Sequence, residues 1–389
     1  MRASLTRRVC AAALLLTSTL TPAVAAAAQP GDPAPSSERA AHARLLGEKI
    51  VPYKLDFQGT TVGGLSGLDR NRCTGEYVFI SDDRSYLQPA RFYTAKLDVD
   101  AGGVHSVDFT GTHAFLQPDG SVYPSPSIGD GKAVDPEEIR VDPRSCHYWW
   151  AQEGDRPATA GPPVIQPSIQ YASPTGAYLG RLRLPANYEI TTEDRGPRRN
   201  QAIEAITFGD RGRVLTSAIE GPLLQDGPVP DLEHGALVRV TKQTREGRML
   251  GQFAYPIEKI FAASDPNSPW GPDTGVPSIL AFPDDPDRYL VLERTWVAGS
   301  GYKIRLFDAT TRGATDVRAV DSLVAGTPVT PMRKTLVADF DTLGLSTVDN
   351  TEGMTWGPAL PSGERTLILV SDDNFADDAV TQIVALAVR

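Results

Sequence analysis

"EAITFGDRGRVLTSAIEG", residues Glu204 to Gly221, decides how the whole chain is read. A short apolar alternation, "AITF", runs into a Gly/Asp/Arg turn and returns as the β-branched run "RVLTSAI". That is the pattern of a β-hairpin with one carboxylate at each end. Four more segments repeat it: "LSGLDRNRCTGEYVFISDDR" from Leu65, "EEIRVDPRSCHYWWAQEGD" from Glu137, "SILAFPDDPDRYLVLERT" from Ser278 and "EGMTWGPALPSGERTLILVSDDN" from Glu352. The opening anchors Ser66, Glu137, Glu204, Ser278 and Glu352 stand 71, 67, 74 and 74 residues apart. The closing acids Asp82, Glu153, Glu220, Glu293 and Asp372 follow them at offsets of 16, 16, 16, 15 and 20. A fixed internal period of this kind marks a repeat architecture.

After each hairpin come further strand candidates, such as "ARFYTAKLDV" with "VHSVDFTGTHAFL", or "ALVRVTKQ" with "RMLGQFAYPI". Four strands per repeat make a propeller blade, so the expected fold is an all-β propeller of five four-stranded blades. A sixth blade in the long loops is the alternative count. The last repeat has room for only one further strand, "TQIVALAVR", and "EKIVPYKLDF" at residues 48–57 is free to supply its fourth. Pairing the two chain ends in one blade closes the ring and removes an open edge.

Residues 1–28 read as a secretory signal peptide: Arg2, Arg7 and Arg8, an apolar run from Val9 to Leu20, then "AVAAAA". Residues 29–45, rich in Pro, Ser and Ala, read as a disordered lead-in, and 46–389 as a single propeller domain. Removing residues 1–28 takes away three Arg and no acid, so the formal charge moves from -10 to -13. No basic stripe exists for nucleic acid, and no second apolar run suggests a membrane segment. The expectation is a secreted monomer that acts on a small molecule.

In a blade the innermost strand lines the central channel and the second runs back beside it, so anchors and closing acids meet at one mouth. Asp82, Asp83, Glu137, Glu153, Glu204, Glu220, Glu293, Glu352, Asp372 and Asp373 are therefore expected to form an acidic funnel. Whether Glu137 or Glu138 faces inward is left open, because a slip of one residue reverses a strand's facing. Crowded carboxylates repel and favour a cation among them. Oxygen ligands in such number suit Ca²⁺, either as a catalytic or as a purely structural ion. Arg84 and Arg294 directly follow closing acids and Lys132 precedes the second anchor, so all three are candidates to hold an anionic substrate, or else to pair with neighbouring acids.

The segments "GGLSGLD", "YVFISDDR", "DPEEIRVDP", "NQAIEAITF", "AIEGPLLQDG", "RYLVLERTW" and "NTEGMTWGP" with "LILVSDDNF" resemble the secreted bacterial phytase-like family, described as esterase-like activity of phytase. The likeness runs from about Val62 to the C-terminus. It implies a calcium-dependent hydrolase of phosphate monoesters or related esters, with Glu137, Glu204 and Glu352 catalytic and Asp82, Asp83, Glu153, Glu220, Asp372 and Asp373 holding metal. The phytases behind that description have six blades, whereas the repeat here gives five.

Two other readings stay open. A calcium lactonase or carboxylic esterase would also use Asn200, Asn350 and Asn374, and a binding propeller would use its loops. A serine triad is not expected, because "GLSGL" departs from G-x-S-x-G and the five His lie outside the repeated rim positions. Cys73 and Cys146 fall seven and nine residues after their anchors, in the hairpin turns of adjacent blades. They are expected to form a disulfide on the face opposite the acidic mouth.

Overall fold

The computed structural model describes residues 41–389 apart from 160, 192 and 325. The expected signal peptide and most of the lead-in lie outside the described residues. Five four-stranded antiparallel sheets follow one another, and each is one blade. From the channel outward, blade I comprises Leu65–Arg70, Tyr77–Ser81, Arg91–Asp100 and Gly103–Ala114. Blade II comprises Pro136–Val141, Tyr148–Gln152, Ser168–Ala172 and Tyr178–Arg181. Blade III holds Ile203–Gly209, Val214–Ile219, Ala236–Thr244 and Met249–Ile257, and blade IV holds Asp273–Phe282, Asp285–Val297, Gly301–Thr310 and Arg333–Asp339. In blade V, Thr351–Ala359, Arg365–Ser371 and Gln382–Val388 are completed by Ala43–Ile50 from the other end of the chain.

The closing strand differs from expectation in extent. It begins at Ala43, inside the segment read as lead-in, and pairs from Ala43 opposite Val388 to Ile50 opposite Gln382. Residues that sequence placed in this strand instead build a small hairpin, Leu55–Phe57 with Thr60–Val62. Alternation explains the shift: "ARLLGEKI" offers Ala43 and Leu45 to the core shared with blade IV.

Packing gives an independent count of blades. Among the described residues there are five large apolar clusters, one between each pair of neighbouring blades. The period of two sorts the side chains. Tyr77 and Phe79 enter the cluster shared with blade V, while Val78 and Ile80 of the same strand enter the one shared with blade II. In blade II, Trp150 stacks on Phe115 at 4.2 Å and Trp149 on Tyr171 at 4.7 Å, so both tryptophans are core. Cys73 and Cys146 form a disulfide between blades I and II, with Cα atoms 6.4 Å apart. In the chain-entropy description, closing a loop of 73 residues stabilises by about 4 kcal/mol.

On the axis, the guanidinium of Arg140 plugs the channel. It donates to the carbonyls of Leu68 (2.6 Å), Ile206 (2.7 Å), Met354 (2.9 Å) and Ile279 (3.3 Å), one from each other blade. Its remaining partners are Glu138 at 2.7 Å and Ser278 at 3.3 Å. A bonded plug thus separates the two mouths of the ring.

Candidate functional site

One geometric device aims the acids. In every blade the innermost strand slips register with its neighbour near its start, with breaks at Leu65/Gly67, Pro136/Glu138, Ile203/Ala205, Gly275/Ser278 and Thr351/Gly353. The skipped residues are Ser66, Glu137, Glu204 and Glu352 in blades I, II, III and V. A β-bulge re-aims the side chain it displaces. Glu137 consequently joins the funnel, while Glu138, one residue on, turns to the axis to meet Arg140 and Ser278. This settles the inward residue as Glu137. Ser66 uses its hydroxyl on the Glu137 carbonyl at 2.7 Å instead.

The closing acids are fixed by a second repeated contact. The backbone N–H groups of Asp82, Glu153, Glu220 and Asp372 donate to the carbonyls of Gly64 (2.7 Å), Asp135 (3.1 Å), Ala202 (2.7 Å) and Asn350 (2.9 Å). At Gly64 the backbone has φ +61°, and a Cβ would lie 2.0 Å from Asp82 Oδ1, so only glycine fits.

Together these residues line a cavity of about 330 Å³ at one mouth, with Asp82, Glu137, Glu204, Glu352 and Asp372 in its wall. Glu153 and Glu220 lie buried beneath. The sequence did not single out Asp135, Asp273 or Tyr302, which line it together with Trp296, whereas Asn200, Asn350 and Asn374 were named. Asp273, Trp296 and Tyr302 are one row of blade IV, paired in register across three strands.

Six of the expected groups belong elsewhere or are already engaged. Asp83 accepts from the N–H groups of Tyr86, Leu87 and Gln88 and from Arg91 at 2.6 Å, and so shapes the next loop. Asp373 accepts from the N–H groups of Gly64 and Phe375. Glu293 faces outward to Lys334 (2.5 Å) and Tyr255 (2.7 Å). Its offset of 15 places it on the opposite strand face. Lys132 is exposed and does not line the cavity. Arg294 lines it but is ion-paired with Glu220 at 2.5 Å and Asp273 at 3.1 Å. Arg84 lies 3.2 Å from Asp135.

Donor atoms converge in two overlapping groups. Carboxylate oxygens of Asp135, Glu137 and Glu153 lie within 4.8 Å of one another, as do those of Glu153, Glu204 and Glu220. Glu153 is common to both. Among the described residues, buried oxygens Glu204 Oε2, Glu220 Oε2 and Asn350 Oδ1 have no hydrogen-bond partner, nor do the buried Nε atoms of Arg84 and Arg294, although the latter lies 3.7 Å from Glu352 Oε1. Unpaired buried acceptors beside other carboxylates fit a hard cation, since nothing else satisfies them.

Burial and mutual repulsion push these carboxyls up. Burial carries Asp135 to about 6 against the pull of Arg84, and burial with Asp273 nearby carries Glu220 to about 8 against Arg294. Glu137, Glu153, Glu204, Asp82 and Asp372 rise well above their ordinary values, chiefly by burial and then by neighbouring acids. Without a cation the folded protein therefore holds more protons than the unfolded chain between about pH 4 and pH 8, and its stability falls as pH rises through that window. In chelator the melting temperature is expected to drop from pH 5 to pH 8, and the gain on adding calcium to be larger at pH 8. A chelated melting temperature that is flat or rising across this window contradicts the raised carboxyls, and an equal gain from calcium at pH 5 and pH 8 contradicts their role as its ligands.

No curated protein matches the chain. Among solved structures, it is similar to the Dos1 propeller at 7% identity and a TM-score of 0.32, covering 83% of this chain and 67% of that one. It is also similar to the periplasmic gluconolactonase PpgL of Pseudomonas aeruginosa at 9% identity and a TM-score of 0.36, covering 89% of this chain and 95% of that one. The model of the phytase-like family, described as esterase-like activity of phytase, matches residues 60–375. That span runs from the small hairpin before blade I to the turn after Asp372, and the chain belongs to this family.

Proposed function

We propose that the funnel is the active site of a secreted, calcium-dependent hydrolase of phosphate monoesters or related esters. The observation that carries the proposal is the pair of carboxylate triads joined at Glu153. Two triads sharing one carboxylate suit two adjacent cations, an arrangement used for phosphate ester hydrolysis. Asp135, Glu137, Glu153, Glu204 and Glu220 would hold them, with oxygen donors only. When bound, calcium supplies Lewis acidity toward an ester oxygen and toward water.

The chain's own residues do the rest. Among the described residues, the Nε atoms of Arg84 and Arg294 have no hydrogen-bond acceptor, the latter lying 3.7 Å from Glu352 Oε1, and these donors suit an anionic oxygen. Asn350 donates to Glu352 at 2.9 Å and to Asp372 at 3.3 Å, holding both carboxylates in place. Trp296 and Tyr302 form an aromatic side to the mouth against which the remainder of a substrate rests. The disulfide supports an oxidising compartment. Among the described residues no helix is long and apolar enough to cross a membrane. The closed ring and the acidic charge support a monomer that acts on a small molecule and binds no nucleic acid.

A second reading, hydrolysis of an uncharged lactone or carboxylic ester with a single calcium, is favoured by one observation: both arginines already pair with funnel acids. The two are separated by assaying chromogenic phosphate, carboxylic and lactone esters with calcium and with chelator, for wild type and Glu204→Gln. Phosphate turnover that needs calcium and is lost in the variant is expected. Turnover of carboxylic or lactone esters alone establishes the second reading. No turnover on any ester, with a chelator-sensitive melting temperature, overturns both and leaves a binding propeller held by a structural ion.

A further inference from the structure

The opposite mouth of the ring has a chemistry of its own. All five blades contribute to a cavity of about 200 Å³ there, below the Arg140 plug. Its walls are apolar: Phe208, Leu280, Phe282 and Trp356, with the Cys73–Cys146 disulfide at one side. Among the described residues the depth offers no unpaired charge. Arg140 is saturated by carbonyls and Glu138, and the Thr355 hydroxyl is bonded to Asp69. The Thr207 hydroxyl accepts from the Ala281 N–H at 3.0 Å and keeps its own proton as a neutral donor.

Charge at the rim has the opposite sign to the rest of the protein. Of the acids lining the cavity, Asp142 pairs with Arg245 and Asp210 with Arg213 at 2.6 Å, which leaves Asp69. Arg70, Arg72 and Arg211 also line it and make no ion pair among the described residues. Three unpaired cations against one acid give the rim a local excess of two positive charges on a chain of formal charge -10. Arg211 is held over the opening by a turn in which Asp210 and Arg211 have φ of 48° and 55°. Such a left-handed pair is strained for residues other than glycine and asparagine.

We infer that this mouth is a second binding site, for a small organic anion with a flat apolar body. The apolar part enters between Phe208, Phe282 and Trp356, where burial of ring surface drives binding. The carboxylate, sulfonate or phosphate end stays at the rim with Arg72 and Arg211, because no unpaired cation lies deeper. A volume of about 200 Å³ is below the ~300–1,000 Å³ of a drug-sized site, so the ligand carries one or two rings or a short chain. The Arg140 plug separates this site from the funnel, and its occupancy is independent of calcium.

The test uses 2-naphthoate as probe, titrated calorimetrically into the full protein in the presence of chelator and repeated in Glu204→Gln to silence the funnel. One saturable site is expected, equal in both proteins and weakened by added salt. Acetate, which lacks the ring, and 2-naphthylmethanol, which lacks the charge, are expected not to displace it. The double substitution Arg72→Ala with Arg211→Asn is expected to weaken binding about tenfold or more, since two charge-assisted contacts are lost. Both arginines are exposed, so the melting temperature is expected to stay unchanged. A second variant, Gly209→Leu, adds bulk at a cavity-lining residue with φ of -113°, where the added Cβ meets only Ala281 and Pro286 at 3.9–4.0 Å, and is expected to weaken binding by narrowing the cavity. Absence of saturable binding at millimolar probe, or binding unchanged in both variants, overturns the inference.

Discussion

Replacing Arg140 by methionine is expected to cost about 3–5 kcal/mol of stability, since several buried carbonyls lose their donor at about 1–3 kcal/mol each. Arg140 is 1% exposed, and its guanidinium fastens to the innermost strands of all five blades. Methionine matches its length and leaves the carbonyls of Leu68, Ile206, Ile279 and Met354 facing a dry channel with no donor. Glu138 limits the damage, because burial already pushes its carboxyl up to about 8 against the pull of Arg140. Without Arg140 it takes up a proton and loses its charge, so the remaining cost lies in the carbonyls. The double variant Arg140→Met with Glu138→Gln is therefore expected to recover only a minor part of the loss. Urea unfolding midpoints at constant slope measure both. A loss below about 1 kcal/mol in the single variant would mean that blade-to-blade apolar packing alone sets the ring, and that the plug is incidental.

The repeat was legible because each hairpin writes the same sentence: anchor, alternation, turn, return and acid. It located five blades, the disulfide and the funnel. What it could not carry was register. The bulges at Glu137, Glu204 and Glu352 insert one residue into the strand and have no signature in the alternation, so Glu137 and Glu138 were interchangeable until the pairing was known. Blade IV shows the same limit from the other side. Its slip skips Val276 and Pro277, which makes Ser278 the counterpart of Glu138 and not of Glu137. Thr295 pairs with Thr274 at the height where other blades carry a closing acid, and Glu293 faces away. The offset of 15 in that blade was the available signal. Asp135 and Asp273 stood outside the repeated positions, one just before a strand and the other at the head of a longer one. Their roles come from three-dimensional crowding, which spacing along the chain does not record.

Glu153→Gln is expected to remove calcium-dependent turnover by about a hundredfold or more, because Glu153 is the carboxylate common to both triads. The amide keeps an oxygen to accept the Ala202 N–H, now bonded to Oε1 at 2.5 Å, so the strand start is preserved. It also relieves repulsion with Asp135 and Glu220, which raise the Glu153 carboxyl in addition to its burial. The metal-free variant is therefore expected to be at least as stable as wild type at pH 8, even as it loses cation affinity. That opposition separates a ligand role from a structural one, in which removing the charge would lower stability with or without calcium. Glu137→Gln touches only the first triad and Glu204→Gln only the second, so each is expected to lose one calcium by calorimetric titration where Glu153→Gln loses both. Asp373→Asn, in a carboxylate bonded to the Gly64 and Phe375 N–H groups and absent from either triad, is expected to keep full calcium stoichiometry. If Glu153→Gln binds as many ions as wild type and turns over within about threefold of it, the shared-carboxylate site is wrong. The funnel's negative charge would then serve the ring and not the reaction.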